Sequence, residues 1–88
     1  MQYTFNFEGQ VYVAEIRHFE ELSEGEKLQY RVTENTFLIY LTGVAGKKVF
    51  ELYIEAGDMT IRWKTQSDLY VDPAICEIIG QYIDNVSM

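Results

Sequence analysis

The chain has 88 residues and a formal net charge of -7, from 14 acidic and 7 basic side chains. This length predicts a single domain over residues 1–88, and a hydrophobic fraction of 48% excludes a disordered chain. No run of about 18 apolar residues is present, so no transmembrane helix is expected. The only cysteine, Cys76, excludes an internal disulfide and a cysteine-built zinc site. The single cysteine and a first segment unlike a signal peptide together predict a cytoplasmic protein.

The first part of the chain predicts two strands. Aromatic and polar residues alternate over residues 2–8, and a second strand is expected over about residues 11–18, after Glu8-Gly9. In the second strand the valines belong to one face, whereas Tyr12, Ala14 and Ile16 belong to the other. Either both faces are covered or a bulge switches the phase, so the face assignment of residues 11–18 stays open.

The acidic segment 20–26 predicts a loop that could hold one helical turn anchoring Phe19 and Leu22. Alternation beyond this loop predicts four more strands, joined by short turns at Glu34-Asn35, residues 43–48 and Gly57-Asp58. These strands cover approximately residues 28–32, 37–42, 49–55 and 59–64. The turns predict the pairing of Tyr30 with Ile39, Ile39 with Leu52 and Ile54 with Ile61, which gives the sheet one apolar face.

The last segment changes to a helical period. Asp72 suits the N-cap, and Pro73 suits the first helical position. One apolar stripe follows, formed by Ile75, Ile78, Ile79, Tyr82, Ile83 and Val86. The predicted fold class is therefore α+β: a six-stranded antiparallel β-meander, twisted or a half-barrel, with one C-terminal helix packed on its apolar face.

The opposite face of the predicted sheet combines aromatic and cationic side chains. Residues 27–48 have four bases and one acid, a net charge of +3 within an acidic chain. Such a face can form a protein interface, or it can stack bases and neutralise phosphates. Alternatively, its tyrosines only stabilise the sheet through cross-strand contacts. The candidate binding residues are Arg31, Leu38, Tyr40, Tyr53, Arg62 and Lys64.

Other groups with chemical potential have simpler structural interpretations. The glutamates of segment 20–26 lack the spacing of a calcium loop, and no nucleophile follows from the sequence beside His18. Cys76 is expected to be a small buried hydrophobe, and Asp72 already serves as a cap. The glycines and lysines of 43–48 precede a strand, whereas a phosphate-binding loop precedes a helix. We therefore predict no catalytic residue, no cofactor and no metal site.

The sequence favours a non-catalytic protein-interaction or homo-oligomerisation module whose partner is a second copy or another protein. The alternative is a binder of single-stranded nucleic acid or another anionic ligand on the same face. Overall acidity opposes this alternative, because non-specific nucleic-acid affinity depends on the number of phosphates neutralised. An enzyme is disfavoured since one small sheet and one helix offer little concave volume.

Overall fold

The computed structural model describes residues 1–30, 32–43, 46–56, 61–65 and 71–87. The described strands form one antiparallel sheet in the order β1-β2-β3-β4-β5. No helix within the described ranges is long and apolar enough to cross a membrane. In chain order the elements are β1 (Gln2–Phe7), β2 (Gln10–Arg17), a 3-10 helix (Phe19–Glu21), α1 (Glu24–Tyr30), β3 (Thr36–Gly43), β4 (Gly46–Ala56), β5 (Ile61–Lys64) and α2 (Pro73–Ser87).

The predicted six-stranded meander is wrong, because the expected third strand is helix α1. Strand β2 pairs directly with β3 instead, with Ala14 opposite Leu41 and Ile16 opposite Ile39. The predicted pairing of Tyr30 with Ile39 therefore does not occur. The turn at Glu34-Asn35 is present, but it leads from the segment after α1 into β3 rather than joining two strands.

A capping box explains why α1 forms. The Ser23 backbone N–H donates to Glu26 Oε1 at 3.1 Å, and the Glu26 N–H donates to Ser23 Oγ at 3.2 Å. This reciprocal pair satisfies two amide donors that a helix start leaves without backbone partners. Leu28 is 79% exposed on the resulting helix, so the apolar alternation at Leu28, Tyr30 and Val32 does not mark a strand face.

The hairpins fix which side chains face α2. Glu8 and Gly9 both have positive φ, of 52° and 78°, as a two-residue type I′ turn requires. Strand β2 pairs continuously on both sides without a bulge, and Ala14 and Ile16 are fully buried. Its inward face therefore carries Tyr12, Ala14 and Ile16, which settles the assignment that the sequence left open.

The other two predicted registers are each shifted by two residues. Ile39 pairs with Phe50 rather than Leu52, and Ile54 pairs with Trp63 rather than Ile61. A shift of two preserves the face of every side chain, because alternate residues of a strand share a face. The predicted Gly57-Asp58 turn lies outside the described residues.

The C-terminal helix is confirmed and covers the inward face of the sheet. Asp72 accepts a hydrogen bond from the Ala74 N–H at 2.9 Å, which caps the helix at Pro73. The helix contacts β5 and β1, the two edges of the described sheet, and so lies across the inward face. The core between them is formed by Phe5, Ala14, Ile16, Ile39, Leu41, Phe50, Leu52, Trp63, Val71, Ile75, Cys76, Ile79 and Ile83.

Candidate binding surface on the outer face of the sheet

The outer face of the sheet, opposite α2, carries most of the predicted binding residues. Leu38 and Tyr40 lie on β3, and Tyr53 lies on β4. The register places Lys64 opposite Tyr53, and Arg62 opposite Glu55. Arg31 lies outside the described residues.

The chain itself covers one half of this outer face. Leu38 is fully buried, in a second apolar cluster with Leu22 and Val32. The expectation that Leu38 contributes to an exposed surface is wrong, because Leu22 and Val32, which flank α1, pack over it. Half-buried side chains that pack against this cluster are Phe19, Tyr30, Tyr40 and Val49.

Tyr40 of β3 links helix α1 to the sheet. Its hydroxyl donates to Glu26 Oε2 at 2.5 Å, and Glu26 also completes the capping box of α1. The hydrogen bond to Glu26, together with burial, raises the pKa of Tyr40 to about 12. The same bond, aided by the Ser23 backbone N–H, lowers the pKa of Glu26. Tyr40 is therefore a neutral donor to an ionised carboxylate at neutral pH.

Two cations flank the ring of Tyr40. The Arg17 guanidinium lies 5.4 Å from the ring centroid, and the Lys47 ammonium lies 5.2 Å from it. Arg17 also donates to Glu15 Oε1 from Nη2 at 3.0 Å, and it lies 3.6 Å from Glu26. The hydrogen bond to Glu15 raises the pKa of Arg17. Carboxylates therefore already neutralise Arg17, whereas Lys47 forms no ion pair within the described part of the chain.

Beside Tyr40 the outer face stays open and forms a depression with a volume of about 490 Å³. We call this the outer depression; its walls are Met1, Gln2, Val13, Glu15, Tyr40, Thr42 and Lys47. Val11 lies two residues before Val13 on the same face and is 55% exposed. The open half thus combines β-branched and apolar side chains with one cation and one carboxylate, a composition suited to binding rather than to proton transfer.

The other chemically capable groups have structural roles. His18 Nδ1 accepts a hydrogen bond from the Glu20 N–H at 3.4 Å and caps the 3-10 helix, while Asp72 caps α2. Burial raises the pKa of the Cys76 thiol to about 11, so it is a weak nucleophile. The described residues include no group of three or more histidine, cysteine or acidic side chains that could hold a metal ion.

Sequence reasoning missed the residues that organise this surface, Arg17, Glu26 and Lys47. A local signal for Glu26 was present, since Ser23 and Glu26 have the spacing of a capping box. Arg17 and Lys47 required the correct pairing, which brings β2 beside β3 and sets Lys47 opposite Thr42. Comparisons with known proteins add no further assignment: no family model matches the chain, and no curated protein and no solved structure matches it either.

Proposed function

We propose that this protein is a non-catalytic protein-interaction module that binds its partner through the outer depression and the adjoining Val11. One observation carries the proposal: the segment around α1, through Leu22 and Val32, covers the Leu38 half of the outer face and leaves the Val11–Val13 half open. Helix α2 packs on the inward face of the sheet, so the open half of the outer face is the surface that we propose for binding.

The composition of the open half favours a protein partner. Val13 and Thr42 line the outer depression together with Glu15 and Lys47, and Val11 adjoins it. Such a mixture of apolar, polar and charged side chains is typical of a non-obligate protein interface, which as a whole is about as apolar as the rest of the surface. A single exposed valine is ordinary on a protein surface, so the argument depends on the depression beside it.

Self-association is the first form of this proposal to test, using a matched pair of substitutions. Val11 and Val86 are 55% and 51% exposed, and Val86 lies on α2, away from the outer face. We expect the wild type to form an oligomer, Val11→Glu to be monomeric and Val86→Glu to behave as the wild type. Light scattering coupled to size-exclusion chromatography measures these masses, and circular dichroism verifies that both variants fold.

Two results would contradict parts of this proposal. A monomeric wild type at high micromolar concentration would remove self-association as the activity. Equal oligomer masses for Val11→Glu and Val86→Glu would remove the open half of the outer face as the contact surface.

Binding of single-stranded nucleic acid or another anionic ligand is the second candidate, supported by the position of Lys47 over the Tyr40 ring. An aromatic ring beside a cation can stack a base and contact its phosphate. Fluorescence anisotropy of a labelled oligonucleotide at low salt tests it, with Lys47→Gln as the variant that should weaken binding. Absence of binding at low salt would eliminate this candidate.

A further inference from the structure

Strand β1 is an edge of the sheet, and half of its backbone polar groups point away from β2. The Ile16 N–H donates to the Met1 carbonyl at 2.7 Å, and the Met1 nitrogen donates to the Ile16 carbonyl at 3.1 Å. Antiparallel pairs alternate between bonded and non-bonded positions, so the polar groups of Gln2, Thr4 and Asn6 face outward. Within the described part of the chain, one group reaches this edge: the Tyr82 hydroxyl, 3.5 Å from the Gln2 carbonyl.

This edge lacks the features that usually prevent strand addition. Residues Gln2–Phe7 contain no charge and no proline, and they pair with β2 without a bulge. Natural edge strands are commonly protected by lysine, proline or a bulge, because open backbone groups recruit another strand. A six-residue edge that lacks these features can therefore accept an extended segment, although Tyr82 contacts it at Gln2.

The sequence of β1 is complementary to itself when two copies run antiparallel around Thr4. That register sets Thr4 opposite Thr4 and Gln2 opposite Asn6 at the hydrogen-bonded positions. It also sets Tyr3 opposite Phe5 at the closer, non-bonded positions, where aromatic pairs stabilise a sheet. Tyr3 already stacks on Phe5 at 5.5 Å and on Tyr82 at 4.1 Å between ring centroids. The second copy would therefore extend an existing row of stacked rings.

We propose that two copies of this chain join edge to edge through β1, antiparallel and with the register centred on Thr4. The two five-stranded sheets then form one continuous sheet related by a two-fold axis, a closed symmetry that stops at the dimer. This contact uses the outward backbone groups of β1 rather than the outer depression, although Gln2 belongs to both, and it does not rest on the proposed function. Because one short strand forms the contact, the association is expected to be weak and dependent on concentration.

A charge-swap experiment at Thr4 tests both the contact and its register. Thr4 is exposed, so Thr4→Lys and Thr4→Glu should leave the monomer folded. In the proposed dimer each variant sets like charges opposite one another, and we expect about tenfold weaker self-association than in the wild type. An equimolar mixture sets lysine opposite glutamate and should recover dimers. Sedimentation velocity over a concentration series measures all four samples.

Two further variants distinguish the contribution of the Thr4 backbone N–H to dimerisation from that of the Thr4 side chain. Thr4→Val keeps the outward N–H and should dimerise as the wild type does. Thr4→Pro removes that N–H, which β2 does not use, and should abolish the dimer while circular dichroism still shows a folded sheet. A monomeric wild type, or a mixture of the lysine and glutamate variants that stays monomeric, would overturn the proposal.

The outcomes also separate this inference from the proposed function. Suppose that Val11→Glu abolishes the dimer and that the mixture of Thr4 variants does not recover it. This result would place the contact on the outer face and overturn the edge model. Recovery in the mixture with no effect of Val11→Glu would support the edge model and contradict the outer depression as the site of self-association.

Discussion

Leu38 and Leu28 provide the sharpest test of the way the chain folds over its own sheet. The alternating pattern predicts Leu28 in the apolar core and Leu38 on an exposed face. In the structure the two environments are exchanged: Leu38 is fully buried against Leu22 and Val32, and Leu28 is 79% exposed on α1. The predicted strand would make Leu28→Ala the more destabilising substitution. The observed structure makes Leu38→Ala the more destabilising one.

The expected cost of Leu38→Ala follows from complete burial. Truncating a buried leucine costs about 2–5 kcal/mol, because apolar contacts are lost and a cavity remains. A chain of 88 residues has a total stability of about 4–13 kcal/mol, so the loss is a large fraction of it. A loss of about 3 kcal/mol would lower Tm by about 12–24 °C. Leu28→Ala should change stability by less than about 0.5 kcal/mol, since it alters an exposed helix position.

Urea unfolding followed by the fluorescence of Trp63, the only tryptophan, measures both variants in one assay. Trp63 is 7% exposed beside α2, so its emission should change when the core opens. An unchanged slope against urea shows that the denatured states remain comparable. Equal midpoints for the two variants, or a lower midpoint for Leu28→Ala, would refute the burial of Leu38 beneath the segment around α1.

Three further predictions concern α2 and Tyr40. Gly80→Ala would place a methyl group 2.1 Å from the Trp63 ring, so we expect a loss of about 1–3 kcal/mol in thermal unfolding. Gly25→Ala in α1, where the nearest atom lies at 3.9 Å, is its control and should be neutral or stabilising. The pKa of Tyr40 is raised from 10.0 to about 12 by its bond to a carboxylate, so its contribution to stability is complete below pH 10 and lost between pH 10 and pH 12. Tyr40→Phe should remove that part of the pH dependence of Tm, and an unchanged dependence would contradict this role. The Cys76 thiol, buried and with a pKa of about 11, should react slowly with a thiol reagent near neutral pH and rapidly in denaturant. Fast labelling of the native chain would show that the thiol is accessible.

The parts of the fold that could be predicted are those with complete local signals. Helix α2 has its cap and a helical apolar stripe, while β1 alternates cleanly and ends at a glycine turn. Helix α1 was missed because its seven residues are too few to show a helical stripe, and Leu28, Tyr30 and Val32 imitate a strand. Its capping box was the better signal, since it fixes a specific backbone geometry.

The candidate surface could be predicted less well than the fold, because exposure is a tertiary property. Tyr40 and Tyr53 lie on the outer face as the alternation predicts, but no pattern within β3 shows that Leu38 is covered. Both hairpin registers were wrong by two residues since loop length, rather than turn composition, sets the pairing. The face of each side chain was still predicted correctly, because a register shift of two residues does not move a side chain to the other face.

The folding of α1 also changes the electrostatic argument about partners. Along the sequence, residues 1–26 carry a net charge of -5 and residues 27–48 a net charge of +3, which predicted a basic outer face. In the structure part of this charge is paired locally: Arg17 lies 3.6 Å from Glu26 within the first segment, and Lys27 of the second segment lies 3.6 Å from Glu24. Two of the cations are thus already paired with carboxylates, which reduces the attraction that they can offer to phosphates.

Salt provides a direct test of this electrostatic argument. Nucleic-acid affinity falls steeply as salt rises, because bound counterions are released in proportion to the phosphates neutralised. Self-association through uncharged β1 residues or through Val11 and Val13 should instead change little, or strengthen slightly as the repulsion between chains of charge -7 is screened. Sedimentation velocity at low and high salt distinguishes the two cases. A dimer that dissociates as salt rises would show that charged contacts hold it together, contrary to the assignment of both surfaces.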